Sequence, residues 1–113
     1  MKLTEVIEIV NASVVAGNHT NRFVKNGFCS DLMSDVLTID TTNMLLITGM
    51  ANVQTMRTAE MADVHSILLV RGKKASPEMI ELACENGMVL METSMSMYFT
   101  AGKLFEAGLK PVY

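Results

Sequence analysis

Three short stretches of this 113-residue chain carry the residue types that hold anions. They are Thr48-Gly49-Met50-Ala51-Asn52, Arg71-Gly72-Lys73-Lys74 and Thr93-Ser94. Hydroxyls donate to phosphate or carboxylate oxygens, glycine lets a backbone N–H come close, and Arg and Lys supply positive charge. Each stretch follows an apolar run and precedes a helix-like segment. In an open α/β sheet, ligands bind beyond the carboxyl ends of the strands. Helix N-termini at Asn52, Ser76 and Ser94 would point donors to the same edge. The candidate ligand-binding set is therefore Thr48, Gly49, Asn52, Arg71, Gly72, Lys73, Thr93 and Ser94. It suits a nucleotide or another phosphate ester. The competing reading is a plain connection, because every strand-to-helix turn needs Gly, Ser, Thr or Asn for caps and tight geometry.

The remaining chemistry-bearing residues form no catalytic pattern. GxxxxGK[ST], GxGxxG and HExxH are all missing. His19 lies in a polar turn, and His65 precedes an apolar run without an obvious carboxylate partner. Asp31 and Asp35, four apart on a predicted helix, would share a face. Paired carboxylates can do acid–base work or hold Mg²⁺, and they can equally be a solvated face beside a helix cap. Cys29 and Cys84 are isolated, with no CxxC, and are expected as buried thiols. No serine sits on a nucleophile elbow. With no named nucleophile, base or metal cage, the expectation is a non-enzyme without cofactor or metal.

Composition narrows the class. The length suits one domain, residues 1–113, and half of the residues are hydrophobic. Two Tyr, four Phe and no Trp leave an aliphatic core supplemented by eleven Met. Met fills irregular gaps in cores, and it also builds adaptable partner surfaces. A net charge of −3 and few aromatics provide neither the positive field nor the stacking platform that nucleic-acid binding uses. The opening "MKLTEVIEIV" places Glu5 and Glu8 inside its apolar run, unlike a signal peptide. No apolar run approaches the ~20 residues of a membrane span. A cytoplasmic location is the expectation.

Elements follow from periodicity. Leu3, Val6, Ile7 and Val10 mark an amphipathic helix with Thr4 as its N-cap. "ASVVAG" (12–17) reads as a strand ended by Gly17, and "GNHTNR" (17–22) as a turn. "FVKNGFCS" (23–30) reads as a strand with Asn26-Gly27 as a bend, or as a hairpin tip. "SDLMSDVLT" (30–38) reads as a helix capped by Ser30, with Leu32, Met33, Val36 and Leu37 on one side. Then "MLLIT" (44–48), "SILLV" (66–70) and "MVLME" (88–92) start at 22-residue intervals. Continuous apolar runs of this length are typical of strands buried on both faces. Helices are predicted over 52–63, with Val53, Met56 and Ala59 on one side, and over 77–86. The latter opens with Ser76-Pro77 and closes with Asn86-Gly87. A third over 95–107 groups Tyr98, Ala101, Leu104 and Phe105 and stops at Gly108. Alternating strands and helices predict an α/β fold, a small mostly parallel sheet of βαβ units with flanking helices.

The chain resembles the DRTGG-domain family and is similar to the N-terminal domain of HPr kinase/phosphorylase. The resemblance is carried by "LTEVIEIVNASVVAG" (3–17), "GFCSDLMSDVL" (27–37), "LLITGMANVQTMRTAEMADV" (45–64) and "ILLVRGKKASPEMIELACENGMVLMETSMSMYFTAGKLFEAGL" (67–109). The letters DRTGG do not occur, and the corresponding turn reads "VRGKK" (70–74). The resemblance implies a small α/β domain with an accessory role beside catalytic parts such as a kinase, an acetyltransferase or a pyrophosphatase with CBS domains. The P-loop domain that carries HPr kinase activity has no counterpart in these residues. Some stand-alone relatives are linked to iron-only hydrogenase systems.

Two functions remain in view, besides a small enzyme for which no acid–base pair can be named. One is a non-catalytic regulatory or assembly module, self-associating as a homodimer and serving a partner enzyme. The other is a small-molecule sensor that binds a phosphorylated ligand at the strand ends. Neither nucleic acid nor membrane is an expected partner.

Overall fold

A computed structural model describes all of residues 1–113. Numbered in chain order, its elements are α1 (Leu3–Val10), β1 (Ser13–Ala16), β2 (Asn26–Cys29), α2 (Met33–Val36), β3 (Met44–Thr48) and α3 (Val53–Met61). They continue as β4 (Ser66–Leu69), α4 (Pro77–Glu85), β5 (Val89–Glu92), α5 (Met97–Glu106) and β6 (Lys110–Pro111). The strands make one six-stranded sheet in the order β1-β5-β4-β3-β2-β6. Only the edge strand β1 runs antiparallel, against β5. The other pairings are parallel.

The evenly spaced apolar runs are adjacent central strands, and their apolarity has a direct cause. Side chains alternate across a strand, and here both faces are covered. Leu46, Ile67, Leu69 and Leu90 point to one face and meet Val36, Met56, Ala59, Met79 and Ala83 from α2, α3 and α4. Leu45, Ile47, Leu68, Val89 and Met91 point to the other and meet Leu3, Val6, Val10 and Leu104 from α1 and α5. Each such side chain contributes roughly 1.5–3 kcal/mol when fully buried. Five of the methionines, Met44, Met56, Met79, Met88 and Met91, lie in these cores.

The topology places α5 where it matters. From β2 to β5 the chain steps in one direction along the sheet, with α2, α3 and α4 on one face. From β5 to β6 it steps back across the whole group to the far side of β2. A crossover of the same hand in the opposite direction must use the opposite face. Hence α5 lies alone with α1 on that face.

Several local expectations are corrected. The first helix is capped at Lys2, whose N–H donates to the Glu5 carboxylate at 3.1 Å, and Thr4 is inside the helix. Asn26-Gly27 is no bend or hairpin tip. Gly27 sits within β2, paired with Leu45 and Pro111. A Cβ on it would meet Leu109 Cδ2 at 2.8 Å, so the glycine makes room for packing. The helix expected from Ser30 is a single turn, Met33–Val36, with Val36 buried and Leu32 and Leu37 exposed. The last helix is capped by Ser96, not Ser94. Its sheet side carries Met97, Thr100 and Leu104, so of the residues grouped by spacing Leu104 is buried while Tyr98 and Phe105 are exposed. Asn52 and Ser76 cap α3 and α4 as expected. Gly17 ends β1 at φ +87°, and any Cβ there would overlap the Met88 carbonyl oxygen.

Candidate functional site

Parallel pairing of β3, β4 and β5 brings their carboxyl ends to one edge, and backbone bonds stitch the turns beyond them. Val70 N–H donates to Thr48 O at 3.0 Å, and Thr93 N–H donates to Leu69 O at 2.9 Å. One step further out, Arg71 N–H donates to Met95 O at 2.8 Å and Gly72 N–H to Thr93 O at 3.0 Å. Arg71 makes this turn at φ +62°, a left-handed conformation uncommon for a residue with a side chain.

The strand β2 contributes a fourth turn to the same edge, and with it Asp31. Asp31 Oδ1 accepts from Gly49 N–H at 2.7 Å and from the Thr48 hydroxyl at 3.1 Å. Asp31 Oδ2 lies 3.3 Å from Arg71 Nη2. The Arg71 guanidinium lies over Gly49, where a Cβ would overlap it. Together these donors form a cradle for an anion, and the protein's own carboxylate sits in it. Both partners of the ion pair are about half exposed, so its Coulombic contribution is modest.

The cradle joins three of the expected residues, Thr48, Gly49 and Arg71. Gly72 and Thr93 contribute backbone only, because the Thr93 hydroxyl donates inward to Val10 O at 2.7 Å. Asn52 spends its amide oxygen on the N–H and hydroxyl of Thr55. Lys73 and Ser94 are exposed and outside the cradle. Lys74 pairs with Glu92 at 3.4 Å, while Glu92 also accepts from Ala75 N–H at 2.7 Å.

Asp31 is the residue that the sequence placed wrongly. It precedes α2 rather than sharing a helix face with Asp35. A signal existed: Asp31 follows β2 as Gly49 follows β3 and Arg71 follows β4. It becomes visible once residues 26–29 are taken as a parallel strand. His65, expected without a carboxylate partner, lies 3.4 Å from Asp63 at the surface. Cys29 and Cys84, expected buried, are both exposed and unpaired. Cys29 stays open to solvent, but the protein around it in the α5 cavity partly desolvates its thiol; that desolvation, and then the negative charge of Asp31, push the thiol up from its ordinary value.

No cavity opens at the strand-end edge. The largest, about 330 Å³, lies between α5 and the β2–β6 edge. Gly27, Cys29 and Ile47 form part of its floor, with Tyr98, Ala101, Gly102 and Phe105 on its α5 side. A smaller one of about 140 Å³ lies at the opposite end of the strands, beside Arg22, Asn43 and His65. No helix is long and apolar enough to cross a membrane.

The DRTGG domain profile matches residues 5–107. This chain belongs to the DRTGG-domain family. Its fold is also similar to a solved structure, the CBS and DRTGG domains of the regulatory region of Clostridium perfringens pyrophosphatase complexed with activator, diadenosine tetraphosphate. The TM-score is 0.71 at 15% identity, covering 98% of this chain and 48% of that one. The DRTGG domain described here thus spans about half the length of that structure. No curated protein matches it.

Proposed function

We propose that this DRTGG domain is a non-catalytic regulatory or assembly module that self-associates as a homodimer and acts on a partner enzyme. The observation that carries the reading is a contrast between two surfaces. At the strand-end edge, the polar groups are engaged with one another through Asp31. At α5, an apolar cavity is rimmed by Tyr98 and Phe105, 90% and 67% exposed. Large exposed apolar side chains around a concavity mark an interaction surface. The similar pyrophosphatase structure is described as a regulatory region, which supports the same role. The partner enzyme is metabolic, a hydrogenase system being one setting. The domain compares in this role with the N-terminal domain of HPr kinase/phosphorylase. Sedimentation equilibrium at tens of micromolar tests self-association, and a monomer throughout would overturn it.

A specific observation also favours a sensor reading. The donors of Thr48, Gly49 and Arg71 are already arranged around a carboxylate, so a phosphate ester could take the place of Asp31. Thermal unfolding with ATP and inorganic pyrophosphate tests this. A binder at a hundredfold excess over Kd adds about 2.7 kcal/mol, hence a shift of several degrees. Arg71→Ala is expected to abolish that shift, and no shift with either probe would contradict the reading.

A further inference from the structure

The helix α5 carries two apolar stripes, and the fold uses one. Met97, Thr100 and Leu104 face the sheet side. Tyr98, Ala101, Gly102 and Phe105 recur at i, i+3, i+4 and i+7 and line the mouth of the apolar cavity. Gly102 is the odd member. Glycine weakens a helix interior, yet a Cβ built on Gly102 meets nothing within 4 Å. Nothing within this chain requires its absence.

The stripe is symmetric about its own middle. Tyr98 and Phe105 are equally distant from the Ala101–Gly102 peptide. An isologous two-fold contact needs a self-complementary surface, in which residue i of one copy meets j of the other and j meets i. We propose that the occupant of this surface is a second copy of the chain. Two α5 helices cross antiparallel about an axis at Ala101 and Gly102, and Tyr98 of each copy lies against Phe105 of the other. The small central pair permits close approach of the helices, and the cavity receives an aromatic ring. On α5 itself, Lys103 lies off the stripe, 5.5 Å over the Phe99 ring, and the charged residue that lines the cavity is Lys110 of β6. Aromatic side chains bury roughly 150–250 Å² each, so Tyr98 and Phe105 supply a large part of the roughly 800 Å² per partner of a stable interface. The cavity walls, including Lys110 and Pro111, supply more.

This inference rests on the self-association proposed above and names its surface. The test measures dimer affinity by sedimentation equilibrium, together with thermal unfolding of the monomer at high dilution. Phe105→Glu should weaken dimerisation at least about tenfold, a loss of one hot-spot side chain. Gly102→Ala should do the same while raising the monomer's unfolding temperature, since Ala is the better helix former. That opposite pair of signs cannot come from misfolding. A wild-type dimer that both variants leave intact overturns the α5 interface and leaves self-association standing. A wild-type monomer overturns both.

Discussion

Asp31 holds the strand-end edge together by accepting from the adjacent Thr48 and Gly49, 17 and 18 residues away, and pairing with Arg71, 40 residues away. A carboxylate in that position does what a bound anion would do. It neutralises Arg71 and receives the N–H of Gly49 without a separate ligand. Its charge also reaches the neighbouring thiol. Desolvation is the larger influence raising Cys29 and Asp31 the second. The neutral thiol is therefore favoured in the folded state. Its stabilising contribution is complete below the unfolded thiol value and is lost as pH rises through the folded one. In a Cys84→Ser background, alkylation of Cys29 by iodoacetamide should reach half its limiting rate at a higher pH than in the urea-unfolded chain. Asp31→Asn should move that midpoint part of the way back. Equal midpoints in the folded and unfolded chains would contradict the assignment.

Among the elements, β2 shows best what could be read from sequence and what could not. The central strands β3, β4 and β5 were legible because burial on both faces leaves continuous apolar runs. The caps at Asn52 and Ser76 were legible because a side-chain oxygen three residues before an N–H is local chemistry. Asn26-Gly27 reads locally as a turn, but Leu109 packs against the glycine and fixes it as a strand position. Ser94 is the helix N-terminus expected from sequence, and the observed cap is Ser96, two residues on. The pairing of Met95 O with Arg71 N–H carries the turn past Ser94, and the helix starts at Met97 with Ser96 as its cap. Both outcomes depend on residues remote in the chain. Gly27→Ala should therefore cost about 1–3 kcal/mol, as an overpacked core site does. Chemical denaturation checks it, and a neutral result would show that Leu109 yields without strain.

For the whole molecule, the reversal of direction after β5 has the largest consequence. It assigns α2, α3 and α4 to one face and leaves α5 partly uncovered beside the β2–β6 edge. The expected edge shared by the three turns is present, with Asp31 as its unforeseen centre. The groove was not legible, because it depends on where β6 docks, and strand order is not written in local periodicity. The exposure of Tyr98 and Phe105, grouped with Ala101 and Leu104 by spacing, was not legible for the same reason: helical spacing identifies an apolar stripe but does not say which surface covers it. The proposed contact with another protein surface rests on this contrast between an edge whose donors meet at Asp31 and an outer stripe of α5 that is left exposed.

The mass of the wild-type protein in solution tests that account most directly. Sedimentation equilibrium at tens of micromolar should return a species of twice 12.4 kDa, dissociating on dilution. A single species of 12.4 kDa at every concentration would contradict it.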